Sequence, residues 1–241
     1  NHDSGNRYAE ASQFILDGAY RFYADHPGSG RFFASNNMAV PAGDFTELGR
    51  FDGAFPIASE DRDLCDRWEA SGRSLRFVED AVVRHDPSLN FARFVRQHFN
   101  YGRGAFSYQR ARLRRGASRP AQAFSAHARF LRSVSQGLAQ QPRAGRLRLA
   151  GLLLLWQLVN LAGYLVGALN GALIVGKLAG GIDIRTVGSG NAGGTNALRT
   201  QGKWFALRVI LIDIGKGFLP PWLFPALVLP GVPLDPELSR T

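Results

Sequence analysis

The chain has 241 residues, with 29 Lys or Arg against 19 Asp or Glu, a formal net charge of +10. That length suffices for one or two domains, and the single cysteine, Cys65, excludes an internal disulfide and any Cys-rich metal site. The charge is unevenly placed: no Asp or Glu stands between Asp86 and Asp183, while thirteen arginines fall from Arg93 to Arg148. Such a block favours anionic surfaces. It runs straight into a hydrophobic segment, so the surface expected is membrane lipid and not nucleic acid.

In chain order, Ala9 to Tyr23 carries Phe14, Ile15, Ala19 and Phe22 at helical spacing. Phe32 to Val40 is short and apolar with a polar break, which predicts a strand and turn. Glu60 to Ser71 opens with acids that suit the first turn of a helix; Gly72 ends it, and Leu75 to Val83 is predicted as a strand. Phe91 to Phe106 alternates aromatic and arginine residues at helical spacing. Arg110 to Arg148 is basic and Gln-rich, an amphipathic juxtamembrane helix or loop. Leu149 to Leu178 stays uncharged up to Lys177. A bilayer core needs ~20 apolar residues per helix, so this segment predicts one crossing and not two. Gly163, Gly167 and Gly171 are spaced to let helices approach, or are simply tolerated in lipid. Trp204 to Leu229 is a second apolar stretch, in which Pro220, Pro221 and Pro225 predict a helix end near Leu219. Asp213 and Lys216 share one face of that helix, as a functional pair or a structural one.

The most distinctive stretch lies between the two apolar segments, from Gly188 to Arg199. Glycine lets backbone N–H groups converge on an anion, and Arg199 can clamp a phosphate with two hydrogen bonds. A flexible linker is the alternative, but a linker does not need this order of Asn, Gly, Thr and Arg.

From Tyr164 to Leu219 the chain resembles the start of the bacterial acyl-phosphate:glycerol-3-phosphate acyltransferases. The residues carrying the likeness are Ser189, Gly190, Asn191, Gly193, Thr195, Asn196 and Arg199, followed by Asp213, Lys216 and Gly217. The resemblance implies transfer of an acyl group from an acyl phosphate to glycerol 3-phosphate, without a cofactor. It implies Ser189 and Arg199 as catalytic residues, with Gly188, Gly190, Asn191, Gly193, Thr195, Asn196 and Lys216 binding phosphate. An acyl phosphate is already activated, so the task is to position two anions and stabilise developing charge. The family's later motifs do not occur in the chain.

Residues 1–115 resemble the acceptor-side half of a family 2 glycosyltransferase of the GT-A type. The likeness rests on FFASNNMAVPAGDFTELGRFDGAFPIASEDRDLCDRW, on His85-Asp86-Pro87, and on RQHFNYGRGAF. It implies Asp61, beside Glu60, as general base on an acceptor hydroxyl, a role that a carboxylate at a helix start suits; simple helix capping is the alternative. It implies His85 as a ligand for Mn²⁺ or Mg²⁺ on a nucleotide sugar, though a histidine after a strand is often structural. Gln97, Tyr101 and Arg103 are a loose version of the segment that meets the leaving diphosphate. The family's Asp-x-Asp nucleotide motif is not found.

The expected fold is thus a partial α/β GT-A-like domain over 1–115, a basic juxtamembrane segment over 116–148, and a helical membrane region over 149–241 with about two transmembrane helices. The expected partners are acyl phosphate, glycerol 3-phosphate, a nucleotide sugar and membrane lipid. The expected location is the bacterial inner membrane, with active sites facing the cytoplasm. The first residue, Asn1, and the polar end suggest a piece of a longer protein. One crossing by 149–178 puts the two active sites on opposite sides, whereas both families ask for the cytoplasm. A turn back near Asn160–Gly171, misplacement of one half, or the joining of two adjacent genes would each resolve this. The alternatives in function are a nucleotide-sugar glycosyltransferase with a C-terminal membrane anchor, or a non-catalytic membrane-anchored fragment.

Overall fold

The computed structural model describes residues 5–26, 31–78, 80–83 and 88–226, without the side chains of 24, 120 and 217–226. The chain falls into two compact units, Asn1–Tyr164 and Leu165–Thr241. Helix α1 (Arg7–Asp25) opens where the Asn6 side chain accepts from the N–H groups of Tyr8 and Ala9. It is followed by α2 (Ala42–Glu47), α3 (Glu60–Ala70), α4 (Phe91–Arg114), α5 (Pro120–Ala139) and α6 (Arg143–Ala168), the last of which runs past the boundary between the units.

The apolar stripe of α1, Ala11, Ile15, Ala19 and Phe22, is buried against Phe94 of α4, Phe130 and Val134 of α5, and Leu153 and Trp156 of α6. Phe130 sits edge-on to both Phe22 and Trp156, with ring centroids 5.7 and 6.2 Å apart. Burial of each such side chain contributes about 1.5–3 kcal/mol. A second tie is ionic. Asp63 of α3 is fully buried and pairs with Arg67 and Arg115, while Asp66 pairs with Arg112 and Arg115. A buried carboxylate needs this many donors, and the network locks α3 onto the end of α4.

The expected α/β domain does not form: the elements among the described residues are all helical, and none is a strand. The two segments expected as strands do run beside each other, but through side chains. Arg31 donates to the Leu75 carbonyl, Asn37 donates to the Ala81 carbonyl, and the Phe33 and Phe77 rings stack. A ladder requires each strand's N–H and C=O groups to meet those of a partner backbone. Here the Phe33 N–H goes to Cys65 Sγ and the Ala34 N–H to the Tyr20 hydroxyl. Phe77, Val78, Val82 and Val83 stay more than half exposed, so side-chain contacts join the segments without burying a strand face.

The membrane region also differs from expectation. Among the described residues one helix is long and apolar enough to span a bilayer, Arg143–Ala168, with a mean hydropathy of 1.8. Its outer face exposes Leu154, Leu158 and Leu161. Non-helical dihedrals at Ala144 and Gly145 put a kink at its start. The expected continuous run to Leu178 breaks at Leu169–Asn170, and Asn170 caps a separate short helix, α7 (Gly171–Leu178). Gly163 and Gly171 therefore sit on different helices. Gly163 meets the Phe99 carbonyl of α4, and Gly102 of α4 meets the Asn160 carbonyl of α6, contacts that a Cβ at either position would prevent.

In the second unit, α8 (Gly194–Gln201) and α9 (Lys203–Ala226) complete a small core. Ala172 and Val175 of α7, Ile184, Ala197 of α8, and Phe205, Ala206 and Val209 of α9 are buried together. Helix α9 runs on to Ala226, past the end expected near Leu219. Proline removes one donor and bends a helix, but it does not always stop one.

Candidate functional site

Two places concentrate polar chemistry. The first is a cavity of about 1410 Å³ inside the first unit. Its walls come from α1, the 32–36 segment, the start of α3, one face of α4, α5, and the inner face of α6. Asp61 lies in it, at the second position of α3. Ser59 before it takes a left-handed φ of 78°. Gly104 of α4 lies so close to the Ala58 backbone that a Cβ would be 2.6 Å from its carbonyl oxygen. This contact of α4 fixes where α3 begins, and so where Asp61 points.

Burial pushes the Asp61 carboxyl above its usual range, opposed by a hydrogen bond from the Arg62 N–H at 2.7 Å and raised further by the charge of Glu60. The Arg62 guanidinium stays close without forming an ion pair to it. It donates to the Tyr23 hydroxyl at 2.9 Å and lies over the rings of Tyr23, Phe32 and Tyr108. A carboxylate with a raised pKa near a fixed positive charge has the properties of a base that accepts a proton from a hydroxyl.

Sequence reasoning missed several neighbours of Asp61. His98 of α4 is almost fully buried and shares a 3.0 Å hydrogen bond with Ser12 Oγ. Desolvation lowers its pKa to about 4, so it is neutral at physiological pH. His127 of α5 sits 3.2 Å from Gln157 of α6, and burial and the Arg62 charge both lower its pKa. The signal for His98 was present in the sequence, because Gln97, His98, Tyr101 and Ala105 fall on one side of a helix. All four line the cavity. Arg103 is not among the lining residues. His85, the expected metal ligand, lies outside the described residues. Among the described residues no group of three or more His, Cys, Asp or Glu could hold a metal.

The second place is the loop that leads into α8. Its shape is set by one side chain. Asn196, nearly fully buried, accepts from the Ser189 N–H at 3.0 Å and donates to the carbonyls of Ile184 and Val187. Gly188 and Gly190 take φ of 60° and 71°, which Cβ-bearing residues disfavour. At Gly188 a Cβ would also collide with Asn196 Oδ1. Asn196 therefore builds the loop from beneath. Ser189, Asn191, Thr195 and Arg199 are exposed. Gly193 precedes the first turn of α8, whose free N–H groups favour an anion. Gly194 packs on Ile210 of α9 and holds that turn against the core.

Lys216 has a different position from the loop residues. It pairs with Asp213 at 2.8 Å and donates to the Leu169 carbonyl at 2.7 Å, while Asp213 accepts from the Gly171 N–H at 3.2 Å. Carbonyls at the end of one helix and N–H groups at the start of the next lack intrahelical partners. The Lys216–Asp213 pair fills both needs at the break between α6 and α7.

Residues 5–179 match the family model described as glycosyl transferase family group 2, and the chain belongs to that family of transferases. Residues 157–235 match the model for glycerol-3-phosphate acyltransferase. Curated proteins named glycerol-3-phosphate acyltransferase are similar over part of the chain. The one from Prochlorococcus marinus (strain MIT 9215) is 52% identical over 62 residues, covering 26% of this chain and 32% of its own length. That from Symbiobacterium thermophilum is 52% identical over 65 residues, 27% and 32%. That from Chlorobaculum tepidum is 59% identical over 54 residues, 22% and 23%. The chain thus spans a third or less of the length of these relatives. No solved structure matches it significantly. The family matches make the protein a transferase in which acyltransferase and glycosyltransferase sequences are joined.

Proposed function

We propose that the loop of the second unit is the glycerol-3-phosphate side of an acyl-transfer site in a bacterial inner-membrane enzyme of phospholipid synthesis. The observation carrying this is the Asn196 scaffold, which leaves Ser189 exposed on a short glycine-shaped loop and Arg199 exposed on helix α8 directly after it. Arg199 and the N–H groups of the loop bind the phosphate. Ser189 orients the substrate hydroxyl as its oxygen attacks the acyl carbon of the acyl phosphate; the bond from that carbon to the phosphate oxygen breaks, and inorganic phosphate leaves with the electron pair and takes up the hydroxyl proton. Gly188, Gly190, Asn191, Gly193 and Thr195 shape or line the phosphate cradle. Lys216 acts at one remove, by fixing the break between α6 and α7. The test is acyl transfer from an acyl phosphate to glycerol 3-phosphate by the full chain in detergent. Activity should be measurable and Arg199→Ala should remove most of it; equal activity in the variant would take Arg199 out of the site.

A second activity is favoured by the position of Asp61 in its own cavity. We infer that Asp61 is the base of a sugar transfer from a nucleotide sugar to a hydroxyl, with Mn²⁺ or Mg²⁺ on the donor diphosphate. Loss of sugar transfer in Asp61→Asn, with acyl transfer retained, is the expected result.

A further inference from the structure

The cavity around Asp61 has features that simple capping of α3 does not require. Three of the residues lining it each hold one buried side-chain atom without a hydrogen-bond partner among the described residues: His98 Nδ1, Gln109 Oε1 and Gln157 Oε1. Buried polar groups are costly when unpaired, and these three belong to residues around one space. Nearby walls are apolar, including Ile15, Leu16 and Trp156. The inner face of α6 forms one side, and α6 is the helix apolar enough to span a bilayer. Leu161 belongs to both surfaces: it lines the cavity and stands exposed beside Leu154 and Leu158 on the outer face. The cavity therefore reaches the exposed leucine side of α6.

The charges inside it select the kind of molecule. Glu60 and Asp61 are both lining residues, and an anionic group beside them is repelled. The Arg112 guanidinium is engaged by Asp66, and that of Arg62 by aromatic rings; Arg129 stands exposed at the rim. A phosphate acceptor is already a nucleophile and needs no base, whereas an alcohol does.

We propose that this cavity takes an uncharged amphipathic alcohol from the bilayer as the sugar acceptor, with its hydroxyl at Asp61 and its apolar body along Trp156 and Leu161. The proposal rests on the sugar-transfer reading. In the step, the alcohol oxygen bonds to the anomeric carbon and its proton passes to Asp61. The bond from that carbon to the diphosphate oxygen breaks, and the nucleotide diphosphate leaves with its electron pair.

The experiment uses the full chain in lipid nanodiscs carrying a diazirine-bearing monoacylglycerol or, in a parallel arm, the diazirine-bearing monoacylglycerol phosphate. After photolysis, labelled peptides are mapped. The uncharged probe should label 97–113 and 156–164, and Leu161→Trp should lower that labelling by about tenfold, as expected when a side chain fills a preformed site. If Leu161→Trp melts early, Leu161→Phe serves in its place. Asp61→Asn should keep the labelling while losing glycosylation of the probe. Labelling confined to the outer leucines, or labelling by the phosphate equal to that by the alcohol, overturns the proposal. Glycosylation retained in Asp61→Asn overturns the base assignment instead and leaves the cavity's occupant as argued.

Discussion

Asp61 lies in a cavity whose walls come from residues as far apart in sequence as Ala9 and Tyr164, and it owes its raised pKa to the burial they provide. Ser189 lies on an exposed loop, and Arg199 on helix α8 just after it; the loop's form is set within a few residues, by Asn196 and two glycines of positive φ. The first site depends on many packed elements and excludes water from a charge. The second depends on local backbone geometry and offers N–H groups and a guanidinium to a solvated anion. Damage to packing should therefore impair the first site. Damage to one side chain beneath the loop should impair the second.

The largest expected effect separates the two directly. Asp61→Asn should reduce sugar transfer by about 10²–10⁴, the usual worth of a general base, while acyl transfer is unchanged. As the pH falls, the wild-type rate should begin to drop while still above the normal carboxylate range, because the base works only when ionised and burial raises its pKa. A rate profile whose acid limb falls in the ordinary range of about 4 would mean that the cavity is wetter than it looks.

Arg199→Ala should lower kcat/KM for glycerol 3-phosphate by about 10²–10³, the cost of losing a charge-stabilising donor. Its melting temperature should stay unchanged, because Arg199 is exposed. A large drop in melting temperature would show that this arginine supports the fold and not the substrate.

His98 gives a pH test of the packed site. Its pKa in the fold is about 4, below the usual 6.5. Between those values the unfolded chain takes up a proton that the folded chain refuses. The contribution is present in full above about pH 6.5, falls as the pH drops, and is lost by about pH 4; at about 1.4 kcal/mol per unit it amounts to about 3 kcal/mol. Melting of the full chain in detergent should decline across that window, and His98→Gln should flatten the decline. An equal slope in the variant would assign the acid sensitivity elsewhere.

Asn196→Ala should cost about 1–3 kcal/mol of stability for the partners left unsatisfied beneath the loop. It should also lower acyl transfer though it need not touch substrate, because the Ser189 N–H loses its acceptor. Asn196→Asp separates the two roles. It keeps the acceptor for Ser189 and loses the donor to Ile184 and Val187. Full activity in Asn196→Ala would show that the glycines hold the loop by themselves.

Much of this was legible in the sequence, where local chemistry decides the structure. The stripe of Ile15, Ala19 and Phe22 determined α1, and the acids at Glu60 and Asp61 marked the start of α3. The order of Ser, Asn, Gly, Thr and Arg from Ser189 to Arg199 marked a candidate anion loop without any tertiary information. The sequence also marked Asp61 as the residue to examine. It did not decide whether Phe32–Val40 and Leu75–Val83 pair as strands, because pairing needs a second backbone at hydrogen-bond distance, which a short apolar run does not report. The break at Leu169–Asn170 was hidden inside an uninterrupted apolar run, where hydropathy records length and not continuity. It exists because Asn170, Asp213 and Lys216 satisfy the groups that two helix ends leave open. The cavity, the neutral His98 and the raised Asp61 pKa were decided by tertiary structure alone. A pKa depends on which atoms replace water around a group, and residues distant in the chain supply those atoms.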